Sequence, residues 1–481
     1  MQQLSYKSLI KNIAGNKLTR QAALKGLNSA LYKNLVRDSE PKLKKINQRK
    51  YEWVKAMLAN VNYNMSKGRI SKHSFNRLVD VIADGAFHID QNNYQETISK
   101  YKEKYGVEPP SFLVVSPTQK CNLNCTGCYA GSNVESKPTL SYTYLDKLLQ
   151  EFHDEADGRF IVVSGGEPLM YKSEGHNILD IFEKYSDTFF MFYTNGTLIT
   201  KEVAERLERL GNATPSISVE GFREHTDARR GEGTFDKILQ SMANLREAGV
   251  TFCVSATATE ENAHILLDDR FYEFFFNEQG ASYMWQFQLM PIGRGNEIFN
   301  LMPSPETRVK LLRKWEELLS DKQYSVVDFW NSGVLTHGCI AYGRNEGYAY
   351  IDWNGNIMPC VFVPYWEDNI IDLYDKGKKF ADALKSNLFQ RGRQWQHDYN
   401  PVVNEVPKNL LMPCSIKDHY ANFRKNIVTE NTKGEDEVSE AVLHDKNYYK
   451  NLVEYDKRLH ELTDPIWENE YLSELKVKQE E

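Results

Sequence analysis

Residues 111–130 read SFLVVSPTQKCNLNCTGCYA and pass from an apolar run into three cysteines. The opening SFLVVSP (111–117) is short, rich in branched residues and ends at a proline, the pattern of a buried strand. Cys121, Cys125 and Cys128 follow within eight residues, in a chain with only four other cysteines. Three thiols are one short of the four ligands of a closed structural zinc site, and their spacing is not a pair of C-x-x-C knuckles. Either a fourth ligand comes from elsewhere, or the open position is itself the purpose.

Outward from this stretch the same texture repeats. Strand-like runs occur at RFIVVSG (159–165), TFFMFYT (188–194), PSISVE (215–220), TFCVSAT (251–257) and YMWQFQL (283–289). Between them lie amphipathic segments such as YTYLDKLLQEFHDEA and TKEVAERLERLG. In the latter Val203, Leu207 and Leu210 share a face, Thr200 can cap the start and Gly211 the end. Six strands alternating with helices predict an α/β fold, a parallel sheet curled into a partial (β/α)6 barrel of the TIM type. Chemistry in such barrels sits at the carboxyl ends of the strands. The unusual stretches fall there: the cysteines after strand one, Gly165-Gly166-Glu167-Pro168 after strand two, Asn195-Gly196 after strand three, Glu220-Gly221 after strand four and PIGRG (291–295) after strand six.

The flanks differ. The 481 residues exceed one ordinary domain. A helical, basic N-terminal region spans 1–105 and the barrel 108–300. A connecting helix lies in 301–332 (PETRVKLLRKWEELLS), a cysteine-bearing α+β region in 333–420, and a charged helical tail in 421–481. Within the tail TENTKGEDEVSE (429–440) reads as a linker. GYAYIDWNGNIMPC reads as a hairpin turning at Asn354-Gly355. Residues 1–70 hold 15 Lys and Arg against three Asp and Glu, leaving the rest of the chain at −19 to reach its net charge of −7. Such an arm suits an anionic partner or a solvated face beside the acidic remainder. No apolar run reaches eighteen residues, no secretory signal is evident, and seven cysteines do not make a disulfide framework. These features predict a cytoplasmic protein, with peripheral contact to an anionic membrane surface through the basic arm.

C-x-x-x-C-x-x-C followed by an aromatic, here Tyr129, resembles the signature of radical S-adenosylmethionine (SAM) enzymes. SGGEP (164–168), YTNGTLIT (193–200), SISVEGFREHTDARRGEGTFDKIL (216–239) and PIGRG are similar to that family's successive strand ends, over about 111–300. The resemblance implies a [4Fe-4S] cluster on Cys121, Cys125 and Cys128 whose fourth iron chelates SAM. One electron then cleaves SAM to a 5′-deoxyadenosyl radical that abstracts hydrogen from a substrate. It also implies that Tyr129, Gly165, Gly166, Glu167 and Pro168 contact the cofactor, with Asn195, Ser218 and Glu220 near ribose or methionine and Arg230 near the SAM carboxylate. An external electron donor of the flavodoxin or ferredoxin type completes the scheme.

Three further cysteines, Cys339, Cys360 and Cys414, lie in HGCIAYG, NGNIMPC and LMPCSIKDHY. The first two resemble the opening of a SPASM or twitch extension, which implies an auxiliary iron–sulfur cluster. The later cysteines of a full SPASM extension are missing, so the fourth ligand would be Asp418, His419, His337 or none. Cys253, inside strand five, reads as core. The resemblance favours a peptide or protein side chain as substrate. A membrane lipid or isoprenoid chain is the alternative, and nucleic acid is not expected. A non-enzymatic electron-transfer protein would leave the glycine-rich strand ends unexplained.

Overall fold

The computed structural model describes residues 6–38, 44–86, 91–400 and 407–472. Parts of the expected N-terminal, cysteine-bearing and tail regions, Phe87 and 473–481 among them, lie outside the described residues.

The six expected strands form in order as β1 (Phe112–Val115), β2 (Phe160–Val163), β3 (Phe189–Thr194), β4 (Ala213–Val219), β5 (Cys253–Ala258) and β6 (Met284–Gln288). All neighbours are parallel, with Val115 opposite Val163 and Phe192 opposite Pro215. Parallel strands need long crossovers, and the helices that provide them cover the outer face, so these strands are apolar on both sides. Those helices carry ordinary punctuation. Thr200 caps Lys201–Leu210 by accepting from the Val203 N–H, and Gly211 ends it at φ +62°.

The sheet is larger than the six-strand expectation. β7 (Val326–Asp328) adds in parallel beside β6, and β8 (Tyr348–Ile351) adds in parallel on the other side of β1. β9 (Asn356–Met358) folds back antiparallel on β8, and β10 (Asp368–Asn369) pairs with β9. The hairpin at Asn354-Gly355 is therefore real, with Gly355 at φ +84°, and its first strand belongs to the barrel sheet. β7 and β10 end the sheet without meeting, so the barrel stays open. β7, only three residues long, gives no periodic signal in a segment that otherwise reads as a connecting helix.

The N-terminal helices pack on this body. Arg49 pairs with Glu52 at 2.7 Å and Glu316 at 2.9 Å, and Asn64 Nδ2 donates to the Gly280 carbonyl at 2.9 Å. Lys7 and Lys11 both pair with Asp80. Part of the basic arm is thus neutralised within the chain. Helix Lys17–Tyr32 keeps Lys17, Leu18, Lys25 and Tyr32 exposed.

The linker reading of 429–440 is overturned. Lys433–Gly434 pairs antiparallel with Tyr365–Trp366, the Gly434 N–H donates to Glu440, and Asp436 caps helix Glu437–Val442 through the Ser439 N–H. Charged, glycine-bearing composition looks like a linker, yet the backbone pairing at Gly434 and the bonds to Glu440 and Asp436 give this stretch fixed local partners. Helix Lys446–Ile466 is likewise docked, burying Tyr448, Leu452 and Leu459, and the Tyr448 hydroxyl donates to the Pro291 carbonyl at 3.1 Å.

On the same helix Asp456 is buried and accepts from the Tyr420 N–H at 2.7 Å; burial pushes its carboxyl up to about 8. A carboxyl raised on folding is protonated in the native state, so its stabilising contribution is intact below pH 4 and is lost as pH rises through 8. D456N should flatten that decline, gaining about 2 kcal/mol over wild type at pH 9 in urea unfolding while matching it below about pH 4. Equal pH slopes would refute the assignment.

Candidate cofactor and metal site

The carboxyl ends of β1 to β6 converge on one face. The cysteine loop, 116–133, is tied to the neighbouring strand ends by backbone bonds. The Gly166 N–H donates to the Thr118 carbonyl (2.9 Å), the Glu167 N–H to the Lys120 carbonyl (2.8 Å), and the Arg294 N–H to the Cys128 carbonyl (3.1 Å). The Arg294 guanidinium also donates to the carbonyls of Cys125 and Ser132. These bonds need close backbone approach, which only glycine allows. A Cβ on Gly166 would meet the Lys120 and Gln119 carbonyl oxygens at 2.2 and 2.5 Å, and one on Gly293 would meet the Tyr129 carbonyl at 2.1 Å. Gly165 adds a second reason, its φ of +105°. G166A should therefore cost about 2–3 kcal/mol in denaturant unfolding and displace the loop. Wild-type stability in that variant would show the approach to be incidental.

The residues expected to meet the cofactor are present on this face. The Tyr129 hydroxyl lies 2.5 Å from Ser164 Oγ and accepts from the Gly165 N–H at 3.1 Å. Glu167 is fully buried and holds β3 in place, accepting from the Asn195 N–H (2.8 Å), the Leu169 N–H (3.1 Å) and Thr194 Oγ1 (2.9 Å). Burial pushes its carboxyl up to about 7 against those donors. Asn195 Nδ2 approaches Cys121 Sγ at 3.7 Å and donates to Asn122 Oδ1 at 2.8 Å. Glu220 and Arg230 are no surface pair: Arg230 meets Glu220 Oε1 at 2.5 Å and Arg229 meets Oε2 at 2.6 Å, all three side chains being mostly buried. Ser218 Oγ lies 3.3 Å from Ser255 Oγ. Pro168 opens the short turn after Glu167.

Burial pushes the Cys121 thiol up to about 12. It also raises Cys125, which Arg230 and Arg229 pull back down. Thiols in such surroundings hold their protons until a metal displaces them. Among the described residues no three His, Cys, Asp or Glu side chains converge as ligands of a single ion. The thiolates of an iron–sulfur cube each bind a different iron, so they need a wider spacing than that. Three free thiols on one glycine-bounded loop, with two arginines near Cys125, fit such a group.

The second cysteine group also gathers. Cys339, Cys360 and Cys414 influence one another electrostatically, and burial raises all three thiols, Cys360 to about 12. The Tyr348 hydroxyl lies 2.8 Å from Cys360 Sγ, and the Lys417 N–H donates to Cys414 Sγ at 3.4 Å. The expected fourth ligands are otherwise engaged. Asp418 forms a buried ion pair with Arg308, His419 Nε2 bonds the Met412 carbonyl at 2.9 Å, and His337 Nε2 lies 2.5 Å from Lys50 Nζ. Cys253 is fully buried core. The tyrosine beside Cys360 and the double arginine clamp on Glu220 were not anticipated; the Arg229-Arg230 pair in the sequence was the available hint.

An open parallel α/β barrel with three thiols and a glycine-walled strand end on its carboxyl face defines a cofactor-dependent barrel enzyme. Residues 115–261 match the family pattern described as Radical SAM superfamily, and the chain carries a radical SAM domain there. It is 25% identical over 275 residues to the AdoMet-dependent heme synthase of Nitratidesulfovibrio vulgaris, covering 51% of this chain and 72% of that one. It is 27% identical over 301 residues to the mycofactocin maturase MftC of Mycolicibacterium smegmatis, covering 61% and 71%. Its fold is similar to that of SuiB from Streptococcus suis, solved with the precursor peptide SuiA, with a TM-score of 0.52, 18% identity and coverage of 74% and 81%. Among the described residues no helix is long and apolar enough to cross a membrane.

Proposed function

We propose that Cys121, Cys125 and Cys128 hold a [4Fe-4S] cluster that binds SAM, and that the enzyme abstracts hydrogen from a peptide or protein side chain. When bound, the cluster and SAM supply the 5′-deoxyadenosyl radical. The chain's own residues position and enclose it. Gly165 and Gly166 leave room beside the cysteine loop, Tyr129 braces the second strand end, and Glu167 locks β2 to β3 with Asn195 beside Cys121. Arg229 and Arg230 carry positive charge to the loop while Glu220 balances them. The observation that carries this reading is the convergence of the cysteine loop and the strand ends on one face of the barrel. The peptide substrate is supported by the maturase relative. Anaerobic iron reconstitution with SAM and a one-electron reductant of the flavodoxin or ferredoxin type tests it. 5′-Deoxyadenosine is the expected product, and none from an intact cluster would defeat the proposal. The second cysteine group is read as an auxiliary cluster on Cys339, Cys360 and Cys414.

One observation favours a second reading in which the substrate is a lipid. Helix Lys17–Tyr32 has no acidic residue and exposes Leu18 and Tyr32 beside Lys17 and Lys25. Sedimentation with phosphatidylserine vesicles that falls steeply with salt would support it; indifference to such vesicles would remove it.

A further inference from the structure

Two buried tyrosines organise the second cysteine group. Tyr342 lies three residues after Cys339 and is fully buried. Its N–H donates to the Pro359 carbonyl at 3.1 Å, beside Cys360, and its hydroxyl lies 2.7 Å from Ser415 Oγ, beside Cys414. The Tyr348 N–H donates to the Ile340 carbonyl at 2.8 Å, beside Cys339. These bonds draw the three cysteine segments to one place. The ring of Tyr342 needs a glycine opposite it: a Cβ on Gly392, in helix Asn387–Tyr399, would meet that ring at 2.0 Å.

Tyr348 makes a different contact. It opens β8, and its ring stacks on Phe112 at 5.1 Å. Its hydroxyl lies 2.8 Å from Cys360 Sγ, and the Phe362 N–H reaches the same sulfur at 3.4 Å. Tyr348 and Cys360 are 3% and 7% exposed. In the free thiol either atom of the pair can donate. A sulfur bound to iron has given up its proton, so the hydroxyl must then be the donor. The donors to Cys121 Sγ in the first group are nitrogens at longer range, the Leu123 N–H at 3.5 Å and Asn195 Nδ2 at 3.7 Å. A donor to a thiolate draws negative charge off the sulfur and so favours the cluster state that holds one more electron. In a buried site water does not screen that effect.

We propose that Tyr348 is a positioning residue that sets the reduction potential of the second cluster, its hydroxyl donating to Cys360 Sγ and raising the midpoint of the one-electron couple. The electron comes from the external one-electron donor, and no bond of Tyr348 forms or breaks. The proposal rests on the reading of Cys339, Cys360 and Cys414 as ligands of an auxiliary cluster.

A redox titration of the reconstituted full chain with dithionite, followed by electron paramagnetic resonance, tests this role; the second cluster's signal is the one that SAM leaves unchanged. Y348F deletes the hydroxyl and keeps the ring on Phe112. At a fixed ambient potential its ratio of reduced to oxidised second cluster should fall about tenfold, a drop of about 59 mV in midpoint. Iron should stay at about eight atoms per chain. Y342F, whose hydroxyl bonds Ser415 rather than sulfur, should move the same ratio by less than about twofold. A change below about twofold in Y348F, a rise instead of a fall, or an equal shift in Y342F would overturn the proposal. So would loss of iron from a Y348F chain that melts like wild type, because the hydroxyl would then be an iron ligand rather than a donor to sulfur. Wild-type protein with about four irons and no SAM-insensitive signal would remove the auxiliary cluster, and the tuning role with it. About eight irons with an unmoved midpoint in Y348F would remove the tuning role alone.

Discussion

C121A, C125A and C128A will each abolish 5′-deoxyadenosine formation and lose the SAM-responsive iron signal, while the protein remains folded. A cube held by three thiolates has no spare ligand, since its remaining iron is given to SAM. The nearest alternatives are occupied: Glu167 bonds the Asn195 and Leu169 N–H groups and Thr194, and Glu220 is clamped by Arg229 and Arg230. Substitutions in the second group should read out differently. C339A, C360A and C414A should lower iron from about eight atoms per chain to about four and retain the first cluster's spectrum. Undiminished product from any of the first three variants would remove the ligand assignment. Unchanged iron in the second three would remove the auxiliary cluster.

R308A will destabilise the protein by about 3–5 kcal/mol, the largest stability loss expected of a single side chain away from the cysteines. Arg308 and Asp418 are 1% and 0% exposed as a pair, and the guanidinium also donates to the carbonyls of Trp330 and Leu411 and to Asn331 Oδ1. Three separate segments thus meet on one cation. Removing it strands a carboxylate with no water and leaves two carbonyls unpaired. Asp418 also accepts from the Cys414 N–H at 3.0 Å, so iron in the second group should fall with stability. Urea unfolding measures the first effect. A loss below about 1 kcal/mol would show that the pair is solvated. R308M/D418L should recover part of the stability, because an apolar pair of similar volume strands no charge.

Much of this architecture is legible in the sequence because its signals are local. Six apolar runs separated by amphipathic helices give six parallel strands, and the odd residues at their ends mark the working face. Asn354-Gly355 announces its hairpin because a tight turn needs positive φ. What is hidden depends on distant partners. β7 and β8 become barrel strands only by lying beside β6 and β1, which no window along the chain contains. Asp418 and His419 offered themselves as ligands on proximity to Cys414, but Arg308, 110 residues away, claims the first. The stretch 429–440 has the composition of a linker because polar residues that bond to a neighbouring segment look the same as polar residues that bond to water.

The pairing of Gly434 with Trp366 spans 68 residues, and Tyr448 reaches back 157 residues to Pro291. Closing such loops must precede any return from the contacts they make, so these are late events in assembly. On the ribosome the barrel strands emerge well before the segment that carries Gly434 and Tyr448. The nascent chain therefore passes through a stage in which the cysteine loop and all its strand ends have been made while the segments that pair with Trp366 and Pro291 have not.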